Sequence, residues 1–566
     1  MPIPLHWTQL RGRRGRWLLD LEWIRGGVLR FAEERITVSS DDGDLVFLAG
    51  LARISVSLAV GVSEVPITIQ TTDVDWLDGW RRGGSLERLP ARLWRWYEGS
   101  AYEDARLVVD GLLVSVSAAD PSSPGTLSGT LAVEVLAESL TPDQVMRWED
   151  LRYHTAGGSE VWAMREDSPS NGAYRPVVVG RPGSPGGNAA VPAYELNLTA
   201  STLGPPATIS PSWLLAGHAL LASSVRLWDM EGGSLGITQS PPAYLPSTYP
   251  DRRDQVFSQI LRLTNDSPWN PTTETTAAER VNTGRKFWWG LTTTDALSNP
   301  YRDGGLRGLG DVLRWWYEYR GGRKVDGGSC EAFSGPLNQY KIDFAWTSPV
   351  TTDAWIEAEV LRVYPVRVIQ GPRGVYFRRR TYQATDADVV ATLSTRGLGI
   401  EVAASSPLTP VDVSLVSHVR VEYGHQTLSD YLYVAEIGIQ PSTVAVESYA
   451  SVLAEGGAHL AEIAAANFGA RTATLQVPTT WDATTANLVA LDYLDRESLP
   501  RYRRTYQGGT EIEGLAVGDV VALDDEDLSP DQVRLATVED VRLGGSLVTI
   551  TVEILRDPLA YTVPTS

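Results

Sequence analysis

The chain has 566 residues, 43% of them hydrophobic, which is more than one core can use, so several domains are expected. Its 69 acidic against 49 basic residues leave a net charge of −20, which argues against a protein that grips phosphate backbones through a broad basic surface. A single cysteine, Cys330, excludes an intramolecular disulfide framework and any multi-cysteine zinc site.

No run of the sequence approaches the roughly 18 apolar residues of a membrane span. The first sixteen residues carry basic side chains without the apolar core of a signal peptide, so a soluble, unprocessed chain is expected. Lysine is confined to Lys286, Lys324 and Lys341, which leaves arginine as nearly the only cation. Its planar fork suits bidentate pairing within interfaces, although genomic base composition explains the bias equally well. Gly 52 and Pro 34 favour strands and turns over long helices.

In chain order, the predicted elements begin with a β domain over 17–137: strands at 17–24, 35–40 and 45–48, with Asp41-Asp42-Gly43-Asp44 as a turn, then strands at 105–117 and 129–136. Its closing pattern is a strand with an acidic residue and a glycine, a strand, a turn, and a last strand ending in Val-Glu. That order recurs at 515–523, 535–543 and 546–554, which predicts two related small barrels, one at each end of the chain. The hexapeptides at 140–145 and 528–533 repeat as well, though Ser/Thr-Pro-Asp is a common turn signal.

Residues 156–250 mix Pro, Gly, Ser and Thr with alternating apolar residues, predicting an inserted β domain with a long turn at 180–188. Helical periodicity marks 254–263 and 309–320, the second closed by Gly321-Gly322; strands are read at 340–346 and 354–361, and a hairpin at Gly371-Pro372-Arg373-Gly374. Alternation through Val411, Val413 and Leu415, and again through Val419, Val421 and Tyr423, predicts two strands broken at Ser417-His418. An Ala-rich helix at 448–468 is weakened by Gly456-Gly457. The domains expected are 1–155, 156–250, 251–410 and 411–566.

Each candidate for chemistry has a plainer reading. Ser234, in Gly232-Gly-Ser-Leu-Gly236, fits a nucleophile elbow, but Ile237-Thr-Gln-Ser-Pro-Pro cannot open the helix an elbow needs, so a turn is expected. Cys330 followed by His418, His425 and His459 has the order of a papain-like peptidase, yet those histidines fall on scaffold elements, and an inert thiol is the better reading. His418 and His425 are oddly spaced and face opposite sides of a regular strand, which makes no metal site. Asp524-Asp525-Glu526-Asp527 and the Asp41 to Asp44 turn lack the spacing of a calcium loop and read as solvated hairpin tips. Glu357 and Glu359 share a strand face, as many solvent-facing pairs do. Trp76, Trp80, Trp94, Trp96, Tyr97, Trp288, Trp289, Trp315, Trp316 and Tyr317 cluster as core and interface anchors in preference to a sugar platform. No catalytic, cofactor-binding or metal-binding residue is expected.

The strand Val419-Arg-Val-Glu-Tyr-Gly424, the Ala-rich helix and the strand Gly518-Asp-Val-Val-Ala-Leu523 together resemble the hub proteins at the tail tip of long-tailed phages. The resemblance covers most of the chain and is clearest over 300–560. It implies a mainly β fold with some α, in which two tail-tube-like β-barrels accompany a β-rich insertion and an α+β domain. It implies a non-enzymatic baseplate or tail-tip hub without cofactors: a homotrimer whose six barrels form a pseudo-hexameric ring, joining the hexameric tail tube to a threefold tip and lining the DNA exit channel. Implied partners are a distal tail or tail-tube protein, a tape-measure protein, tip or fibre proteins, and a host surface glycan or envelope during attachment and genome ejection. The implied location is the virion, after assembly in the host cytoplasm. A net negative lumen would let DNA slide without sticking. The alternative class is a secreted polysaccharide-binding or polysaccharide-degrading β-sandwich protein.

Overall fold

The computed structural model describes residues 13–555 apart from a set of stretches, the longest being 71–87, 119–125, 133–151, 201–208, 230–244, 248–257, 263–286 and 439–456. Ser234, Trp76, Trp80, the hexapeptide at 140–145 and Gly321-Gly322 lie outside the described residues. The fold is mainly β with some α and contains several sheets.

The N-terminal strands are β1 (Gly15–Trp23), β2 (Gly27–Ala32), β3 (Ile36–Val38), β4 (Leu45–Ala49), β5 (Val56–Ser57), β6 (Glu64–Gln70), β7 (Leu89–Tyr97), β8 (Arg106–Ala118) and β9 (Thr126–Ala132). Hydrogen bonding runs β2-β1-β7-β8-β9-β6. The segment after β4 closes this sheet into a ring: Leu51 pairs with Ile69 of β6, while the N–H groups of Gly50 and Leu51 donate to Ala32 at the end of β2. Gly50 allows the closure. Its φ is +147°, and a Cβ there would stand 2.2 Å from the Gln70 carbonyl oxygen. Trp17, Leu19 and Leu21 point into the ring at period two, and Leu18 packs outward against Phe47 and Val38 on the β3–β4 flap.

Residues 152–291, which include the expected insertion and extend past both of its bounds, supply β10 (Arg152–His154), β11 (Val161–Met164), β12 (Val177–Val179), β13 (Val191–Glu195), β14 (Leu198–Ala200), β15 (Ile209–Ser210), β16 (Ser212–Ala216), β17 (Val225–Asp229), β18 (Leu245–Ser247), β19 (Ser258–Arg262) and β20 (Phe287–Leu291). Helical periodicity at 254–263 is overruled here. Ser258–Arg262 is strand β19, held between β16 and β18, because two neighbouring edges outweigh a weak local preference.

Helices α1 (Leu309–Trp315) and α2 (Gly327–Phe333), strand β21 (Phe344–Trp346) and helix α3 (Thr352–Trp355) follow, and α3 continues as a π-helical turn over Ile356–Leu361. The strand expected at 354–361 is therefore helical. Trp355, Ile356 and Val360 face the core at helical spacing, and Glu357 and Glu359 fall on different sides of the turn instead of one strand face. The hairpin β22 (Val366–Gly371) to β23 (Gly374–Arg379) forms as expected, with Gly371 opposite Gly374.

Next come β24 (Val389–Ser394), β25 (Ile400–Ala404), β26 (Thr409–Val411), β27 (His418–His425), β28 (Tyr431–Gly438), helix α4 (Gly457–Phe468), β29 (Thr472–Val477), helix α5 (Ala483–Glu497), β30 (Arg501–Gly508), β31 (Val520–Asp524), β32 (Arg534–Leu543) and β33 (Val548–Ile554). Of the two strands read between 411 and 424, the second forms as β27; the first is limited to the end of β26. β27 is not a barrel strand. With β28 and β29 it makes a three-stranded sheet whose Val419, Val421 and Tyr423 share one core with α1, α5 and the β22–β23 hairpin.

The second barrel draws on both sides of that sheet, taking β24 and β25 from before residue 411 and β30–β33 from after it. Its ring is β24-β25-β30-β33-β32-β31, with β31 returning to β24. The two barrels share more than strand order. β6 pairs with β9 over seven residues, and β30 with β33 over seven. β8 slips by one residue after Val114, which faces Thr130; β32 slips by one after Val538, which faces Val552. Thr130 and Val552 hold the same place in their strands. β2 runs parallel to β4, and β24 parallel to β25. β1 has no counterpart, and its omission lets β24 pair directly and in parallel with β31.

Candidate assembly site: the junction between the barrels

The barrels touch at a contact built from β7, the start of β8, β5, and the short helical turn Thr510–Gly514 that links β30 to β31. Arg95 and Tyr97 lie at the end of β7, and Glu513 sits on that turn. The Arg95 guanidinium donates from Nε at 3.1 Å to each Glu513 oxygen and from Nη2 at 2.7 Å to Oε1. Tyr97 donates its hydroxyl to Glu513 Oε2 at 2.6 Å, and Arg106 donates to the Glu513 carbonyl. Burial, then the Glu513 carboxylate, push the Tyr97 phenol far above its ordinary range, so it stays a donor. The Arg95 guanidinium also lies 4.9 Å from the centre of the Trp17 ring. Thr510 adds a hydrogen bond to the Arg13 carbonyl at 2.9 Å.

Around this polar knot the apolar layer is continuous. Leu51, Ile54 and Val56 from the first barrel share a cluster with Leu543, Val541 and Ile512 from the second. β5 goes further and joins the second barrel as a strand, with Val56 opposite Leu543 and Ser57 opposite Arg542 of β32. Apolar burial supplies the attraction; the buried ion pair admits one alignment only.

A second set of arginines ties the central region to the same barrel. Arg367 and Arg380 on β22 and beyond β23 reach Glu539, the bulged residue of β32, and Arg367 donates to the Val538 carbonyl at 2.8 Å. Burial pushes the Glu539 carboxyl up, but Arg367, Arg380 and Arg503 outweigh it and hold it below the usual range. Arg378 pairs with Asp519 at 2.9 Å, bracing the Gly518-Asp519 turn that opens β31. Within the central core, buried Asp343 accepts from Arg307 at 2.6 and 2.9 Å and from the backbone N–H groups of Arg181 and Trp481.

The residues singled out for chemistry scatter. Cys330 is buried on α2, with Sγ 4.0 Å from the Val375 carbonyl, and burial pushes its thiol up to about 11. His418 is at one end of β27 beside Thr472 Oγ1 at 3.3 Å; His425 is at the other end against Tyr431; His459 lies on α4. Of the run expected as a solvated tip, Glu526 and Asp527 are exposed, but Asp524 and Asp525 are buried. Asp524 accepts from Ser394 and faces Arg396, Asp525 takes Arg504 and Tyr506, and Asp527 takes Arg504. The Asp41 to Asp44 turn is pinned by Glu103, which accepts from Ser40 Oγ and the Asp41 N–H. Among the described residues no group of three or more His, Cys, Asp or Glu is arranged to hold a metal ion. Trp289, Trp316 and Tyr317 are core residues, Trp96 and Tyr97 are buried in the first barrel, and Trp315 stacks on exposed Tyr319 at the surface.

No protein-family model matches the chain, and no curated protein does. Among solved structures, the tail protein from Neisseria meningitidis MC58 is similar at 9% identity and a TM-score of 0.36, over 95% of this chain and 96% of that one. A chain of the virion of a native gene transfer agent particle is similar at 14% identity and a TM-score of 0.37, over 77% and 91%. The 43 kDa tail protein of prophage MuSo2 from Shewanella oneidensis is similar at 8% identity and a TM-score of 0.31, over 97% and 100%.

Proposed function

We propose that the chain is the structural hub of a phage tail tip or baseplate, three copies forming a ring of six barrels that joins a hexameric tail tube to a threefold tip. The observation that carries this reading is the internal repeat: two closed barrels of matching strand order and bulge position, locked side by side through Arg95, Glu513 and β5. A unit of two like barrels makes a pseudo-sixfold ring by threefold rotation alone. The role in this reading is mechanical and not enzymatic. The excess of acid, 69 residues against 49, suits a channel that DNA crosses without binding. Tube, tape-measure and fibre proteins would be its neighbours, and the insertion is free to face the host.

The test is the mass of the assembled protein. Light scattering at physiological salt should give a trimer, and averaged images a threefold ring with six similar lobes. A stable monomer at micromolar concentration that hydrolyses glycan would overturn the hub reading in favour of a polysaccharide-active protein.

A further inference from the structure

On the outer face of the second barrel, four arginines crowd round two carboxylates. Glu553 of β33 stands opposite Arg503 of β30 on one side and Thr537 of β32 on the other, while the alternate residues Val552 and Val538 belong to the barrel core. Arg503 donates to Glu553 from Nε at 3.2 Å and from Nη2 at 3.0 Å, and Arg501 donates to the other oxygen of the same carboxylate. The β22–β23 hairpin brings a second pair to this face: Arg367 and Arg380 divide the two oxygens of Glu539, Arg380 at 3.2 Å. The two halves share one field, since Glu553 also acts on Arg367 and Arg380, and Arg503 on Glu539.

The charges do not balance. Four guanidinium groups face two carboxylates, and among the described residues these arginines make ion pairs with no other acid. Neighbouring carboxylates are committed elsewhere, Asp540 to Arg542, Asp492 to Arg379 and Asp519 to Arg378. Arg367 and Arg501 are 3% and 6% exposed, and the Nε atoms of Arg367, Arg380 and Arg501 are buried without a protein acceptor. Burial pushes the Arg367 guanidinium below its ordinary range; Glu539 opposes this, and the like charge of Arg380 adds to it. A lysine or histidine so placed could shed its proton, but arginine keeps it. The excess charge therefore calls for a counter-charge from outside the chain. Arg503 and Arg380, with side chains 44% and 28% exposed, mark the way in.

We infer that this cluster binds a small oxyanion of the phosphate class, carrying two negative charges, at the joint between the β22–β23 hairpin and the second barrel. Guanidinium forks match the oxygens of such an ion, and its charge equals the excess. Bound there, it ties hairpin to barrel. The inference stands apart from the ring reading, and its failure would leave that reading untouched.

The test titrates the full-length chain with inorganic phosphate at neutral pH, against sodium chloride of equal ionic strength. Calorimetry should show saturable binding, and the thermal midpoint should rise and level off with it. Sulfate, also doubly charged, should compete. Arg380→Gln combined with Arg503→Gln leaves each glutamate one guanidinium, so the variant should fold and should bind phosphate more weakly by roughly tenfold or more. No saturable heat, or equal binding by the folded variant, overturns the inference. A midpoint that climbs without levelling, alike in both chains, reports only the general effect of excluded salts and overturns it as well. A short oligonucleotide, whose phosphodiesters carry one charge each, should fail to displace phosphate; displacement would overturn the assignment to a free ion.

Discussion

Arg95 and Glu513 stand 418 positions apart in sequence and meet with both side chains wholly removed from solvent. Their pairing is bidentate, and Tyr97 supplies a third donor to the same carboxylate. A charge buried this deeply depends on its partner far more than the pair as a whole contributes to stability.

Glu513→Ala should accordingly destabilise the chain by about 3–5 kcal/mol, because it strands the Arg95 guanidinium. Replacing both, as Arg95→Met with Glu513→Leu, should restore most of that loss. Urea unfolding of the two variants checks this; equal losses in single and double replacements would show that packing, not the orphaned charge, dominates.

The Asp343 node should be comparably sensitive. Asp343→Ala leaves Arg307 and two backbone N–H groups without their acceptor, for a cost of about 3 kcal/mol. Gly180 next to it has φ +65°, and a Cβ would stand 1.9 Å from the Ile342 carbonyl oxygen. Gly180→Ala should cost at least about 1–3 kcal/mol in backbone strain before the clash is counted. Thermal unfolding that moved less for either variant than for an exposed control such as Val390→Ala would refute the assignment.

Cys330 should be unreactive toward thiol reagents at pH 8 while the chain is folded, and should react at once in denaturant. Its thiol is an acid that holds its proton more tightly in the folded state. The stability it contributes is therefore full below the ordinary value of 9.0 and is lost as pH rises through about 11. Cys330→Ala should flatten that part of the stability profile at a cost of about 1 kcal/mol, with assembly intact. Rapid labelling of the native protein would contradict the burial.

Calcium should leave the thermal midpoint unchanged. The carboxylates of Asp524, Asp525 and Asp527 are already matched by Arg396 and Arg504, so a cation would have to displace guanidinium groups to bind. A rise on adding millimolar calcium, reversed by chelator, would disprove this.

Much of the β architecture was legible because period-two alternation and turn residues are local signals. Strands β1, β4, β8, β32 and β33 fall where Trp17-Leu-Leu-Asp-Leu, Leu45-Val-Phe-Leu and their C-terminal equivalents predict them. The errors came where tertiary partners decided. Residues 258–262 became a strand between two edges, and 352–361 a helix because Trp355, Ile356 and Val360 needed one face of the core. The assembly site was almost invisible: Glu513 sits in Thr510-Glu-Ile-Glu-Gly514, where no spacing distinguishes a buried carboxylate from an exposed one. β5 is two residues long, too short for any periodicity. The buried half of the acidic run, Asp524 and Asp525, misled because its arginines, Arg396 and Arg504, come from other strands and loops and leave no mark on the local spacing.

Carrying both barrels on one polypeptide changes the arithmetic of encounter. The first barrel meets the second at a local concentration set by the tether and not by how many copies a cell has made. Half the joints of a ring would then be closed before two chains ever collide, so ring formation would scale with the cube of chain concentration where separate barrels would need the sixth power. A particle that needs only one such ring gains most from this, since its rarest component need not compete with itself for the right number of pieces.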